Sequence, residues 1–167
     1  MVMRKFLWLG ILTLGILFLA GYLALSAFSG TGLIRQIEQA EQKWTEQEVK
    51  AYRIQVDEIN AIWHWQRHDI TVENGQVTAH SAVCYPAPAE LGKCKVLPYE
   101  PESFMVFALF EKAYRLAQAG KNSKYQTQIQ FQFDPTYGFP TRLSSNTPEA
   151  TDSFSLLEVK MFEPLPE

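Results

Sequence analysis

The stretch YQTQIQFQFDPTYGFPTRL, residues 125–143, joins an alternating run to a turn, and it decides the fold class. Alternation with a period of two places every second side chain on the same face of a β-strand. Aromatic and aliphatic side chains therefore lie on one face, and the other face carries a row of neutral amides. Residues 139–144 can return as a partner strand, which predicts an antiparallel sheet with one dry face. The amide row consists of Gln126, Gln128, Gln130 and Gln132.

Turn residues separate predicted strands at two places. An Asn-Gly dipeptide lies between residues 70–73 and 76–79, and between two alternating runs it is a strong signal for a β-hairpin. In the second turn, an aspartate that can hydrogen-bond its own backbone is followed by proline and glycine. The residues to which we assign structural roles in these turns are Asn74, Gly75, Asp134, Pro135, Gly138 and Pro140.

Two segments have the periodicity of a helix. Residues 33–48 place glutamate, glutamine and lysine between recurring apolar side chains, which predicts an amphipathic helix. Residues 103–119 predict a longer helix, with Ser103 as its N-cap and Gly120 as its end. Because Phe107 and Phe110 belong to its apolar stripe, we expect this helix to be buried against the sheet.

Composition limits the size of the fold and the class of partner. The chain has 167 residues, 20% of them charged, and a formal net charge of -3, which suits one domain with an appendage. Lysine and arginine form no run. Nucleic-acid binding depends on clustered basic residues that neutralise phosphates, so we expect no nucleic-acid partner.

An uncharged run near the N-terminus begins at Phe6 and ends at Phe28. It is long enough to cross the roughly 30 Å hydrocarbon layer of a bilayer as a helix. Arg4 and Lys5 precede the run, so the positive-inside rule leaves the N-terminus in the cytoplasm. We expect an uncleaved signal anchor in contact with the lipid bilayer, although a signal peptide cleaved near Ala24 stays open.

These features together predict an α+β fold in two regions. Residues 1–30 are expected to form a cytoplasmic stub, a transmembrane helix and a joint, and residues 31–167 an extracytoplasmic domain. That domain is expected to contain a mainly antiparallel sheet of five or six strands packed against one long helix. The amphipathic helix follows the anchor.

The order of motifs along the chain resembles a known family. A tryptophan and a tyrosine eight residues apart lead to a V-x-N-G hairpin, then to a Leu-Phe step on a helix, and then to F-D-P-x-x-G-F-P. The residues concerned are Trp44, Tyr52, Val72, Asn74, Gly75, Leu109, Phe110, residues 133–140 and Asp152. This order resembles the DUF6174 family of small extracytoplasmic bacterial proteins over residues 44–162. The resemblance implies a fold and a single-pass location at the bacterial cytoplasmic membrane, with the domain outside. It implies no activity and no catalytic residue.

Cys84 and Cys94 are the two cysteines of the chain, and they flank a loop rich in proline and glycine. Outside the cytoplasm, such a pair favours a structural disulfide. The C-x-x-C spacing of a redox pair is missing. Free thiols or a metal stay open as alternatives.

Three histidines, His64, His68 and His80, give the one hint of a metal site. Residues four apart suit zinc on a helix, but on a strand they lie about 13 Å apart. We therefore interpret these histidines as partly exposed strand residues, and we expect neither a metal nor a cofactor.

The amide row carries the functional prediction. It is either the solvated outer face of an antiparallel sheet or a flat docking surface, since amides both donate and accept hydrogen bonds. We predict a membrane-anchored extracytoplasmic binding or assembly module whose partner is another envelope protein. The alternative is a small metal-dependent or hydrolytic enzyme that uses His64, His68 and nearby carboxylates such as Asp69 and Asp134.

Overall fold

A computed structural model of the chain describes residues 30–60, 64–85, 94–123, 126–150 and 153–166. Within these ranges lie two α-helices, α1 (Gly30–Glu46) and α2 (Val106–Asn122), and a 3-10 turn, Pro101–Phe104. The six strands are β1 (Ala51–Asn60), β2 (His64–Glu73), β3 (Gln76–Tyr85), β4 (Gln128–Phe133), β5 (Pro140–Asn146) and β6 (Ser155–Pro164).

The six strands form one antiparallel sheet in the order β3-β2-β1-β6-β5-β4. Strands β1 to β3 follow one another as a meander, and β4 and β5 form a hairpin. The last strand, β6, enters between β1 and β5 and joins the two parts. Consequently β3 and β4 lie at opposite edges, and neither has a second neighbour among the described strands.

The two faces of the sheet have different side chains because residues alternate along each strand. The inner face is mainly apolar and packs against the two helices and the 3-10 turn. The outer face carries ion pairs between neighbouring strands, such as Arg53 with Asp69 and Arg67 with Asp57, each at 2.6 Å. Exposed pairs of this kind contribute little stability, about 0–1 kcal/mol each, so the inner face holds the fold together. Fully buried side chains in the core between this face and the helices include Ile54, Val56, Ile70 and Val72 of the sheet and Ile37, Val106, Leu109 and Phe110 of the helices.

The ends of α2 differ from the prediction because contacts distant in sequence decide them. Ser103 was predicted as the N-cap, but it lies in the 3-10 turn, and Met105 occupies the cap position. The first helical amide, Val106 N, donates to the hydroxyl of Tyr52. Gly120 does not end the helix, which continues to Asn122. Instead, a side chain at Gly120 would collide with Cδ1 of Ile129, so the glycine lets helix and strand approach closely.

The structure contradicts the predicted architecture, which was a transmembrane helix followed by a sheet packed on one long helix. The described part of the chain contains a six-stranded sheet and two helices of 17 residues each. Because Ile37 and Ala40 of α1 are buried in the common core, α1 is a second helix that packs on the sheet. Neither described helix is long and apolar enough to cross a membrane. The stretch between Phe6 and Phe28 lies outside the described residues.

Candidate functional site

The turn between β4 and β5 packs against the last turns of α1. The carboxylate of Asp134 accepts hydrogen bonds from the amides of Thr136 and Tyr137, at 2.8 and 2.7 Å, as an Asx turn does. Gly138 follows with a positive φ of 86°. A Cβ atom built on Gly138 would lie 2.5 Å from the carbonyl oxygen of Ala40 and 3.1 Å from the amide nitrogen of Trp44. Only glycine allows this approach, which sets the position of α1 against the sheet.

An aromatic cluster next to this turn holds the side chain of Trp44. The ring centroid of Trp44 lies 5.7 Å from that of Tyr52, 6.1 Å from that of Phe139 and 5.7 Å from that of Phe162. All three contacts are edge-to-face, the arrangement that aromatic quadrupoles favour. Phe139 and Phe162 also contact each other, at 4.4 Å. The indole is therefore fixed from three sides.

Trp44 forms one wall of a groove between α1 and α2 with a volume of about 640 Å³. We call it the interhelical groove. Phe107 and Phe110, in the first turns of α2, line it from the other helix. Phe110 is buried, but the side chain of Phe107 is 63% exposed, the largest exposed fraction of any bulky apolar residue in the described chain. Concave surfaces with aromatic walls and a few polar groups are a common location of binding sites.

Two carboxylates, Glu41 and Glu48, line the same groove. The hydroxyl of Tyr114 donates a 2.8 Å hydrogen bond to Oε2 of Glu41. Burial and this carboxylate raise the pKa of Tyr114 to about 12, so the hydroxyl remains a donor at neutral pH. Lys50 is the one basic residue among the described lining residues, beside the two glutamates.

Glu48 has an unusual backbone conformation for its residue type. It follows the end of α1 with a positive φ of 50°. A non-glycine residue in this left-handed region costs about 1 kcal/mol, and glycine or asparagine is usual at this position after a helix. Such strain is often found where a side chain serves a function.

The predicted docking surface lies elsewhere. Gln128, Gln130 and Gln132 are exposed on the outer face of β4, at one edge of the sheet, and Gln126 is exposed just before the strand. Ile129, Phe131 and Phe133 alternate with them and point to the inner face, where they are half-buried. The amide row is therefore separate from the interhelical groove.

The three histidines lie toward the opposite edge of the sheet. His68 is fully buried, so its interpretation as a partly exposed residue is wrong. Its ring stacks on Phe104 at 3.6 Å, and its Nε2 lies 3.2 Å from Oε2 of Glu58. This hydrogen bond lowers the pKa of Glu58, against the opposing effect of burial. His80 Nδ1 lies 3.0 Å from the hydroxyl of Tyr99.

The described residues do not bring together the histidines and carboxylates of the alternative metal or enzyme site. No group of three or more histidine, cysteine, aspartate or glutamate side chains within them is arranged to hold a metal ion. His64 is half-buried at the start of β2. Asp134, the carboxylate considered with the histidines, is occupied by the amides of its own turn, at the β4 edge.

Cys84 and Cys94 form a disulfide, as predicted, with their Cα atoms 5.8 Å apart. The bond ties the connection before α2 to strand β3. Buried Gln66 strengthens the same tie, because its side chain accepts from the amide of Leu97 and donates to the carbonyl of Leu97. The connection and its 3-10 turn thereby pack on the inner face at β2 and β3.

The sequence did not indicate the interhelical groove. Trp44 and Glu41 were assigned to an amphipathic helix, and Phe107 was predicted to be buried. One signal was available. Val106, Leu109, Phe110 and Ala113 already complete a buried stripe along α2, and Phe107 lies outside that stripe although it is only three residues from Phe110.

Comparison with known proteins supports the resemblance in the sequence. A family model described as a family of unknown function (DUF6174) matches residues 36–164. The chain therefore belongs to the DUF6174 family. Asp152, which contributes to the resemblance, lies outside the described residues. No curated protein and no solved structure matches the chain.

Proposed function

We propose that this member of the DUF6174 family is a binding module that takes an organic cation in the interhelical groove. The proposed cation is the arginine side chain of an extended partner polypeptide. The observation that carries this proposal is the exposed ring of Phe107, which lines the same groove as the fixed indole of Trp44 and two carboxylates.

The chemistry of the groove suits a guanidinium better than a neutral apolar group. Aromatic faces attract cations by about 0.5–2 kcal/mol, and arginine is the side chain most often found in such contacts. A carboxylate can accept two parallel hydrogen bonds from the same guanidinium. Glu41 is already oriented by Tyr114, so little conformational freedom would be lost when the cation binds.

The strained backbone at Glu48 gives further support. Glycine would occupy this position without strain, yet the chain has a residue that brings a negative charge to the groove. A role for the carboxylate in binding accounts for the choice.

The enzyme alternative has less support. His68 has no exposed surface, and Glu58 already occupies its Nε2 atom. A general base must lie within hydrogen-bond reach of its substrate, and a fully enclosed imidazole does not meet this condition. The described lining residues of the groove include no histidine and no cysteine.

We also propose that the module acts outside the cytoplasm. The Cys84–Cys94 disulfide supports this location, because disulfides persist in oxidising compartments and are rare where thiols are kept reduced.

The proposal is tested with a matched pair of probes. Binding of acetylated and amidated Leu-Arg-Leu to the full chain is measured by calorimetry, beside the same tripeptide with citrulline in place of arginine. Citrulline has the same shape without the charge. We expect the arginine probe to bind at least about fivefold more tightly, which corresponds to about 1 kcal/mol for a partly exposed cation.

Variants separate charge from apolar contact. Glu41→Gln with Glu48→Gln should remove the preference for arginine, and Phe107→Ala should weaken both probes. Glu111→Gln, an exposed carboxylate of α2 outside the groove, and Leu97→Ala, an exposed apolar residue elsewhere, are the controls. Equal binding of the two tripeptides, or a preference that survives loss of both carboxylates, would contradict the proposal.

A further inference from the structure

Both edge strands lack charged residues, and β4 is the one with an unbroken alternation of amide and apolar side chains. Its six residues, QIQFQF, include no charge, no proline and no glycine. Each of the four inner strands carries at least one charged residue on the outer face, whereas β4 presents only amides there. Natural proteins usually protect an edge with lysine, proline or a bulge. An alternating, uncharged hexapeptide is the type of segment that pairs with copies of itself.

We propose that β4 is the interface of a homodimer, in which it pairs antiparallel with β4 of a second copy of the chain. The product would be a continuous sheet of twelve strands. This assembly is independent of the interhelical groove, so the two proposals can fail separately.

The sequence of β4 is complementary to itself in one register. In an antiparallel pair, directly opposite residues share a face. With Phe131 on the two-fold axis, Gln130 lies opposite Gln132 of the second copy, and Ile129 lies opposite Phe133 of the second copy. Glutamine amides donate and accept, so the two outer-face pairs satisfy each other without any like charges in contact.

The inner face gives the pairing an apolar contribution. Phe131 and Phe133 are half-buried, and their ring centroids lie 6.4 Å apart. The ring of Phe133 is also nearly parallel to that of Phe110 of α2, with the centroids 6.4 Å apart. The exposed parts of Phe131 and Phe133 lie at the edge of the core, where no described residue of the same chain continues the sheet. A second β4 would place the same aromatic pair against them and remove this surface from water.

The opposite edge is less suited to self-pairing. Strand β3 is longer, but His80 lies near its middle. The ring of His80 is hydrogen-bonded to the hydroxyl of Tyr99, in the connection that leads from β3 to α2. The disulfide at Cys84 also holds that connection against β3. Pairing between β3 of one copy and β4 of another would leave free edges and continue into filaments, whereas pairing of β4 with itself closes as a dimer.

The test is sedimentation of the full chain over a range of concentrations. We expect a monomer–dimer equilibrium for the wild type. Gln130→Lys combined with Gln132→Lys places lysines opposite each other in both outer-face pairs, and should weaken the dimer by about tenfold. Gln76→Lys combined with Thr78→Lys makes the same change of charge at exposed positions of β3 and should leave the equilibrium unchanged.

A second measurement locates the interface without substitutions. Hydrogen exchange of the β4 amides should slow as the concentration of wild-type chain rises, and exchange in β3 should not change. The proposal is overturned if the wild type stays monomeric throughout, if the β4 lysine variant dimerises as tightly as the wild type, or if assembly continues beyond the dimer.

Discussion

Two hairpin turns of the sheet, β2–β3 and β4–β5, use similar residues for different purposes. Between β2 and β3, Asn74 and Gly75 both have positive φ, and a Cβ atom on Gly75 would meet nothing within 4 Å. Between β4 and β5, Gly138 also has positive φ, but a Cβ atom there would meet the backbone of α1 at 2.5 Å. The first turn only reverses the chain. The second also sets the position of α1, and through Trp44 it sets one wall of the interhelical groove.

The same contrast applies to Asn74 and Glu48, the two non-glycine residues with left-handed backbone in the described part of the chain, both with φ of 50°. Asparagine tolerates this conformation, so at Asn74 sequence and structure agree. Glutamate does not favour it, so at Glu48 they disagree. Natural chains are consistent in most places and break local rules mainly at functional sites, which is why the groove rather than the free turn is the candidate site.

The largest difference between the two turns is expected for alanine substitution of their glycines. Gly138→Ala adds strain from positive φ to a clash with backbone, and should lower the free energy of unfolding by about 3 kcal/mol or more. Gly75→Ala has only the strain and should cost about 1 kcal/mol. Urea denaturation of both variants measures the difference. Similar losses would mean that the β4–β5 turn does not hold α1.

Removal of the disulfide tests the part of the molecule around β3, which we call the β3 side and which consists of β3 and the connection between Cys94 and Phe104. Cys84→Ser with Cys94→Ser should cost about 2–3 kcal/mol, because the bond closes a short loop and restricts the unfolded chain. The effect should be confined to stability, since the described lining residues of the groove lie in α1, directly after it and in α2, and none lies in the connection that the disulfide ties to β3. If the double variant lost its preference for the arginine tripeptide while still folded, the two regions would not be independent.

Acid should act through Glu58 of β1, which lies beside the buried His68 of β2. Its pKa is lowered by the hydrogen bond from His68, so it is lower in the folded than in the unfolded chain. The stability that Glu58 contributes is therefore fully present above pH 4.5, its ordinary pKa. It is lost as the pH falls through the lower pKa of the folded chain. Glu58→Gln should reduce the loss of stability on acidification by about 1 kcal/mol. Denaturation midpoints at pH 7 and below pH 4 provide the comparison, and an unchanged acid dependence would contradict it.

The smallest change is expected from Glu48→Gly. Glycine relieves the left-handed strain, so the free energy of unfolding should rise by about 0.5 kcal/mol, part of the gain being offset by the greater freedom of glycine in the unfolded chain. Binding of the arginine tripeptide should weaken in the same variant. Asn74→Gly is the control, with a similar change of backbone and no change in binding. A variant that is more stable and binds equally well would leave the strain at Glu48 unexplained.

Local signals made part of this fold predictable. The alternation in QIQFQF matches β4, and the Asn-Gly dipeptide matches the tight turn between β2 and β3, because both depend on neighbours in sequence. The burial of His68 and the exposure of Phe107 were not predicted. Each depends on which distant element packs on it: Phe104 covers His68, while none of the core residues encloses Phe107. The ends of α2 were missed for the same reason.

The candidate site was less accessible from sequence than the fold. The motif F-D-P-x-x-G-F-P signalled a turn, but its packing against Ala40 and Trp44 joins residues about ninety positions apart. Periodicity assigns side chains to faces of one element and cannot identify a groove between two helices. The part that Glu48 plays in the site could not be predicted, because it rests on a positive backbone φ angle that the sequence does not indicate.

The most direct test of the account is to locate the arginine tripeptide on the full chain by intermolecular NOEs. We predict NOEs from the arginine side chain to the ring protons of Trp44 and Phe107, and their loss in Gly138→Ala but not in Gly75→Ala. NOEs to the outer face of the sheet or to the β3 side, with none to Trp44 or Phe107, would contradict the assignment of the interhelical groove as the binding site.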